Sequence, residues 1–249
     1  MAVLVYEAFD EGWDDSWAGK IHNAYTPSDG GALRLMFREG EHYGCSLHKE
    51  IPATRHLKMS YIVRVLSDWD SDSTGKTLGF ADLRWKNKEG QSYGHGNRRP
   101  APDGFAFRTW YGKTEDGYMP VGMYIYHLDQ KPEWGDSITV GRIKVGGNPV
   151  IFECEADLDS GFVQARVDGG DWVRHDIAVS DNTAVTWAWL DAYYGGAAVA
   201  PKNMAWDISQ YILEDFNETE DPPPDGDTFR MAVIAGLRDL ADRIEASRM

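Results

Sequence analysis

The feature that most restricts this chain is its punctuation: across residues 30–213, short apolar–polar alternations are cut off again and again by clusters of Gly, Asn, Asp and Pro. Residues 33–37, 57–66, 105–111, 121–127, 138–145, 150–156, 162–167, 185–190 and 204–212 each carry the two-residue period of a strand. Between them Ser28-Asp29-Gly30-Gly31, Val145-Gly146-Gly147-Asn148-Pro149 and Val167-Asp168-Gly169-Gly170-Asp171 supply turn chemistry. Strands this closely spaced, with no helical pattern between them, predict an all-β jelly-roll sandwich over residues 1–213. The aromatic content fits: 10 Trp, 12 Tyr and 9 Phe can fill pleated faces, and 26 Gly can serve the turns.

Charge removes whole classes of function. Against 40 Asp plus Glu stand 25 Lys plus Arg, a formal net charge of −15, which disfavours a nucleic-acid partner because phosphate recognition needs clustered cations. A run of about 18 apolar residues is lacking, so no membrane insertion is expected. The opening MAVLVYEAF has neither the basic start nor the small-residue cleavage site of a signal peptide. Two cysteines, Cys45 and Cys154, make no disulfide scaffold.

The composition changes after Leu213. Glu214, Asp215, Glu218, Glu220, Asp221, Asp225 and Asp227 surround Pro222-Pro223-Pro224 without one basic residue, so residues 214–227 read as a self-repelling, extended linker. From residue 228 the period becomes helical, with Asp227 as N-cap and an apolar seam at Val233, Leu237, Leu240 and Ile244. Two heptads are too short to hold a helix alone in water. The segment 228–249 either packs on its own sandwich or, the reading preferred on the length of the linker, associates with another copy or another protein.

The unusual residues lie within 75–127. They are Gly75-Lys76-Thr77-Leu78-Gly79-Phe80, Phe107-Arg108-Thr109-Trp110 and Tyr124-Ile125-Tyr126-His127. Alternation puts Tyr124 and Tyr126 on one face of one strand, about 7 Å apart, where one phenol could accept and the other donate a proton. A cation such as Lys76 or Arg108 beside them would favour phenolate or pair with a substrate carboxylate. The competing reading is a tyrosine ladder on a solvated face, with Lys76 in an ordinary turn.

In this order, the Gly-Lys-x-x-Gly loop, the x-Arg-x-Trp strand and the Tyr-x-Tyr strand resemble the fourteenth polysaccharide lyase family, the alginate and glucuronan lyases with a β-jelly-roll fold. Val167-Asp168-Gly169, Tyr193-Tyr194-Gly195-Gly196 and Ala200-Pro201 are similar to later segments of that family, and the likeness spans roughly residues 30–213. The resemblance implies β-elimination on a polyuronate, with Lys76 and Tyr126 as acid–base pair and Tyr124 and Arg108 orienting or neutralising the substrate. It also implies a departure: Ala106 stands where active relatives commonly carry Ser two residues before the arginine, so the site is expected to be degenerate.

A polyanion approaching an acidic protein needs a basic rim. Arg84, Lys86, Lys88, Arg98 and Arg99 against Glu89 could supply it, with Trp85 and Tyr93 stacking on sugar rings and His127 adding a further contact; the alternative is a solvated loop. Asp68, Asp70 and Asp72 mimic the start of a calcium loop, but Ser73 and Gly79 stand where its Gly and Glu belong. The seven histidines show no zinc spacing, so neither metal nor cofactor is expected. Val185, Trp187 and Trp189 read as core, and Trp13 and Trp17 as packing on the first strand. The expectation is a jelly roll engaging extracellular or host-surface polysaccharide. Its sandwich, acidic linker and terminal helix resemble in organisation the phage minor tail proteins, which would place it on the virion surface, in contact with other virion proteins, or outside the cell after lysis. The alternative is an active lyase.

Overall fold

A computed structural model describes residues 2–9, 16–20, 23–25, 31–82, 104–130, 134–195 and 198–216. The basic stretch with Arg84, Trp85, Lys86, Tyr93, Arg98 and Arg99, the residue Trp13, and the helical seam Val233, Leu237, Leu240 and Ile244 lie outside the described residues, as do most of the expected linker and all of the expected helix.

The strands run β1 (Ala2–Glu7), β2 (Ala18–Lys20), β3 (Ala24–Tyr25), β4 (Leu33–Phe37), β5 (Tyr43–Thr54) and β6 (His56–Val65). They continue with β7 (Gly75–Ala81), β8 (Ala106–Tyr111), β9 (Tyr118–Tyr126), β10 (Asp136–Lys144) and β11 (Val150–Asp157). The last are β12 (Phe162–Val167), β13 (Val173–Asp176), β14 (Val185–Tyr194) and β15 (Met204–Asp215). Among the described residues there is no helix. The strands form two antiparallel sheets. One has eight strands in the order β13-β12-β11-β6-β15-β4-β3, with β1 also on β15; the other has seven in the order β10-β9-β8-β7-β14-β5-β2.

Alternation builds the core between them. Leu57, Met59, Tyr61, Val63 and Val65 of β6 point inward from one sheet, and Phe107 and Tyr111 of β8, Met123 and Ile125 of β9, and Leu190 and Tyr194 of β14 from the other. At one end Phe37, Trp69, Tyr111 and Trp206 interlock, with Trp69 centred 5.2 Å from each of the other three rings, a set of tilted and edge-on contacts favoured by ring quadrupoles. Trp17 joins the core and its indole N–H donates to Glu7 of β1 at 2.7 Å, as the expected packing on the first strand requires. Cys45 and Cys154 are both buried free thiols.

One strand appears that the sequence does not mark, and two sequence expectations change. Residues 43–54 form β5 despite Pro52, because β5 lies between β14 and the short β2, which pairs only with residues 46–48, so the proline falls where β5 needs no N–H on that side. Residues 75–81, read as a loop around two glycines, are a central strand. Its glycines are there because a Cβ on Gly79 would sit 2.0 Å from the Phe107 carbonyl oxygen, and one on Gly75 would sit 2.1 Å from the Tyr111 hydroxyl. Finally, Glu214 and Asp215 are the last residues of β15, paired with β1 and β6, so the sheet extends past Leu213.

Candidate active site

The seven-stranded sheet carries a second apolar cluster on its outward face, apart from the core: Ala81, Ala106, Tyr124, Tyr126 and Trp189, with Trp110 against them. Around it four of the sequence-predicted residues converge, Lys76 from β7, Arg108 from β8, and Tyr124 and Tyr126 from β9. Register explains the convergence. Arg108 is opposite both Gly79 and Tyr124, while Lys76 is opposite Trp110 on one side and Tyr193 on the other. A bulge between Lys76 and Gly79 gives β7 one residue more than the facing part of β8, which returns the Lys76 side chain to this face. Gly79 has no side chain, so the Arg108 side chain crosses β7 above it and reaches β14.

On β14 it meets residues that the sequence does not mark as part of the site. Arg108 Nη1 lies 3.0 Å from Asp191 Oδ2, and its guanidinium carbon is 4.3 Å from the centre of the Trp189 ring and 5.6 Å from that of Tyr193. Trp187 and Trp189 are therefore not core. A register shift between Val185 and Trp187 turns the strand, so that Val185 keeps its place in the core while Trp187, Trp189, Asp191 and Tyr193 face outward. The signal was present as Leu190, Ala192 and Tyr194, an apolar alternation in the opposite phase.

The face is crowded for charged groups. Arg108 is 5% exposed and Asp191 7%, and the Arg108 Nε and Asp191 Oδ1 atoms, both buried, have no hydrogen-bond partner among the described residues. Lys76 Nζ lies 3.7 Å from the centre of the Tyr124 ring and 5.2 Å from that of Tyr193. Burial first and the neighbouring Arg108 second push the Lys76 ammonium down to about 7, against the opposing pull of Asp191. Gly135 N–H donates to the Tyr124 hydroxyl at 3.1 Å, and the two phenol oxygens of Tyr124 and Tyr126 are 3.3 Å apart. Either phenol can be the donor in this pair; with Tyr124 donating, the Tyr126 O–H is left directed elsewhere. Burial first, and then the hydrogen bond with Tyr126, raises the pKa of Tyr124; burial also raises that of Tyr193, with Arg108 pulling it back. Both remain neutral phenols. Ala106 is opposite Tyr126 and adds only a methyl group to the floor.

His127, expected to touch substrate, does not join this face. It follows Tyr126 and so points the other way, where its Nε2 bonds Asp136 Oδ2 at 2.9 Å and its Nδ1 accepts the Ala178 N–H at 3.3 Å. His175 Nε2 reaches the same Asp136 oxygen at 3.0 Å. Among the described residues, His127, Asp136 and His175 are the one group whose ligand atoms are gathered closely enough to hold a metal ion. Spacing along the sequence did not reveal it because each ligand comes from a different segment.

Neither a protein-family model nor a curated protein matches the chain. Solved structures do. The alginate lyase Aly36B superposes with a TM-score of 0.65 at 20% identity, covering 84% of this chain and 88% of that one. The alginate lyase vAL-1 from Chlorella virus gives 0.60 at 14% identity, covering 80% and 92%, and the Emp47p carbohydrate recognition domain gives 0.56 at 10%, covering 86% and 94%. At these identities the likeness is one of fold: a two-sheet, jelly-roll-like β-sandwich shared by alginate lyases and a carbohydrate recognition domain.

Proposed function

We propose that the chain is a polysaccharide lyase that cleaves a polyuronate by β-elimination on the outward face of its seven-stranded sheet. One observation carries the reading: a lysine brought down to about 7 stands against a hydrogen-bonded tyrosine pair and next to an arginine. Near neutral pH a large share of Lys76 is the free amine, a base matched to its working pH. The amine removes the proton α to the uronate carboxylate, and Arg108 stabilises the charge that builds on that carboxylate. The electron pair forms the ring double bond as the glycosidic C–O bond breaks, and the departing oxygen takes its proton from the Tyr126 hydroxyl. Tyr124 holds Tyr126 by donating to it, and Tyr193 and Trp189 pack Arg108 in place.

The neighbours add support of a coarser kind. A substituted form of Aly36B has been solved in complex with an alginate tetrasaccharide, at a TM-score of 0.67 and 17% identity to this chain. Mixing the protein with alginate, glucuronan and bacterial-surface polysaccharides, and following the ultraviolet absorbance of the unsaturated uronate product, tests the reading. A rise that disappears in Lys76→Met and Tyr126→Phe supports it. A flat trace from folded protein, with retained sugar binding, would make this a glycan-binding jelly roll in which Ala106 marks lost catalysis.

Carriage on a virion is a separate proposal that rests on residues 217–249. A chain ending at Phe216 should keep the elimination activity and lose self-association or attachment to other proteins; unchanged assembly would sink it.

A further inference from the structure

β10 is an edge strand of the seven-stranded sheet and β13 an edge strand of the eight-stranded sheet, and the His175–Asp136 contact at 3.0 Å bridges them. Asp136 opens β10, His175 lies in β13, and His127 follows the end of β9, so three segments and both sheets contribute to a single cluster. We propose that His127 Nε2, His175 Nε2 and the Asp136 carboxylate form a binding site for a divalent first-row transition ion of the zinc type.

Ligand chemistry is the first argument. Two imidazole nitrogens and one carboxylate oxygen are a donor set that suits Zn2+, Co2+ or Ni2+ and not the oxygen-seeking Mg2+ or Ca2+. Geometry is the second. The three ligand atoms lie within 4.8 Å of one another, with the nitrogens 2.9 and 3.0 Å from the same carboxylate oxygen. At metal–ligand bonds of about 2.0–2.2 Å these separations place each imidazole about 90° from the carboxylate around the ion, and widening each by about 0.4 Å reaches the tetrahedral angle.

Access is the third. His127 is buried, whereas Asp136 and His175 are only half-buried, so an ion can enter from the His175 side and keep a water as its remaining ligand. The backbone already restrains the set: the His127 N–H donates to Gln130 Oε1 at 3.1 Å, and Leu128 N–H to the Ala178 carbonyl at 2.9 Å. Loading through Nε2 requires each ring to carry its proton on Nδ1, so that the proton of His127 moves from Nε2 to Nδ1. The long 3.3 Å contact from Ala178 N–H to His127 Nδ1 must then give way, since a metallated ring carries its proton on Nδ1.

The ion would tie the two sheets together where β10 approaches β12 and β13. It would also fix Asp136, the residue after the Gly135 that donates to Tyr124. The site does not depend on the lyase reading, because its ligands leave the tyrosine face untouched.

The test uses the full chain after chelator treatment, titrated with Zn2+ by calorimetry and with Co2+ by visible absorption. One ion per chain, a higher Tm on loading, and affinity reduced at least tenfold in His175→Ala but not in His56→Ala are the expected results. Failure to bind one equivalent, or undiminished binding by His175→Ala, overturns the proposal and leaves a hydrogen-bonded staple. Should that variant fail to fold, histidine ring NMR of the wild type decides: Zn2+ must shift the rings of His127 and His175, and shifts confined to other histidines overturn it.

Discussion

The outward faces of the two sheets solve the same problem in opposite ways. On the eight-stranded sheet, charges stand across from their complements. Glu153 of β11 accepts from Lys58 of β6 at 2.6 Å and from Arg166 of β12 on its other side, His56 meets Glu155, and Arg34 makes a two-bonded pair with Asp207 at 2.7 and 2.8 Å. On the seven-stranded sheet two cations, Lys76 and Arg108, crowd one carboxylate, Asp191, among aromatic rings, and buried polar atoms go unpartnered. Antiparallel pairing alone does not impose this difference, since both faces belong to antiparallel strands. A surface that keeps like charges together and away from water gives up stability, which is what the proposed chemistry on this face requires.

The largest expected effect separates the faces at their lysines. Lys76→Met should lower elimination by about 10²–10⁴-fold, the usual worth of a positioned acid–base group. It should also stabilise the fold. In the folded state Lys76 is down at about 7 from an ordinary value of 10.5. The unfolded chain therefore binds more protons between those limits, so the penalty is full below pH 7 and fades as pH rises toward 10.5. Allowing for its partial contact with water, the gain from Lys76→Met at pH 6 is about 3 kcal/mol. Lys58→Met, on the paired face, should instead lose about 1 kcal/mol and leave activity alone. Denaturant melts at pH 6 and pH 10 check both; a destabilised Lys76→Met at pH 6 would erase the contrast.

Next come the carboxylates. Asp191→Ala leaves Arg108 buried without its partner and should cost about 3 kcal/mol. Because Asp191 holds the Lys76 value up, its removal should also move the acid limb of the rate profile to lower pH. An unmoved limb would disconnect Asp191 from Lys76. Glu153→Gln, on the other face, should cost about 1 kcal/mol with no change in the profile. Burial pushes Glu153 up, but Arg166 and Lys58 outweigh it and bring it below the usual carboxylate value. That contribution is present above the unfolded value and is lost as pH falls through the folded one, so wild type and Glu153→Gln should converge in strongly acid solution.

The sequence made the paired face and the tyrosines legible for one reason: unbroken alternation. Residues 57–65, 150–156 and 162–167 keep the period throughout, and Tyr124 and Tyr126 inherit a shared face from it. Where the period breaks, the reading broke. Gly75 and Gly79 looked like turn residues because a single sequence does not reveal the neighbouring strand that excludes a Cβ. Trp187 and Trp189 read as core, and Asp191 and Tyr193 carry no visible site role, because the phase of β14 reverses beside a register shift against β5. His127, Asp136 and His175 are gathered by sheet edges that have no local signature. Bulges and glycines thus concentrate at the chemistry, where side chains must leave the regular positions.

The smallest effect bears on Ala106, opposite Tyr126 and nearly inaccessible to solvent. If this face is tuned for chemistry at the expense of stability, adding the hydroxyl expected from lyase resemblance should extend that bargain. Ala106→Ser buries a hydroxyl in an apolar cluster, at a cost of about 1 kcal/mol unless it finds a partner. Its one useful partner is the Tyr126 phenol, and a hydrogen bond there would steady the proton donor and raise turnover by no more than about tenfold. Ser60→Ala on the paired face, the reverse change, should stay within about 0.5 kcal/mol of wild type. A slower and less stable Ala106→Ser would mean that the methyl group is part of a packed site adapted to its absence, and that the missing serine is not a sign of decay.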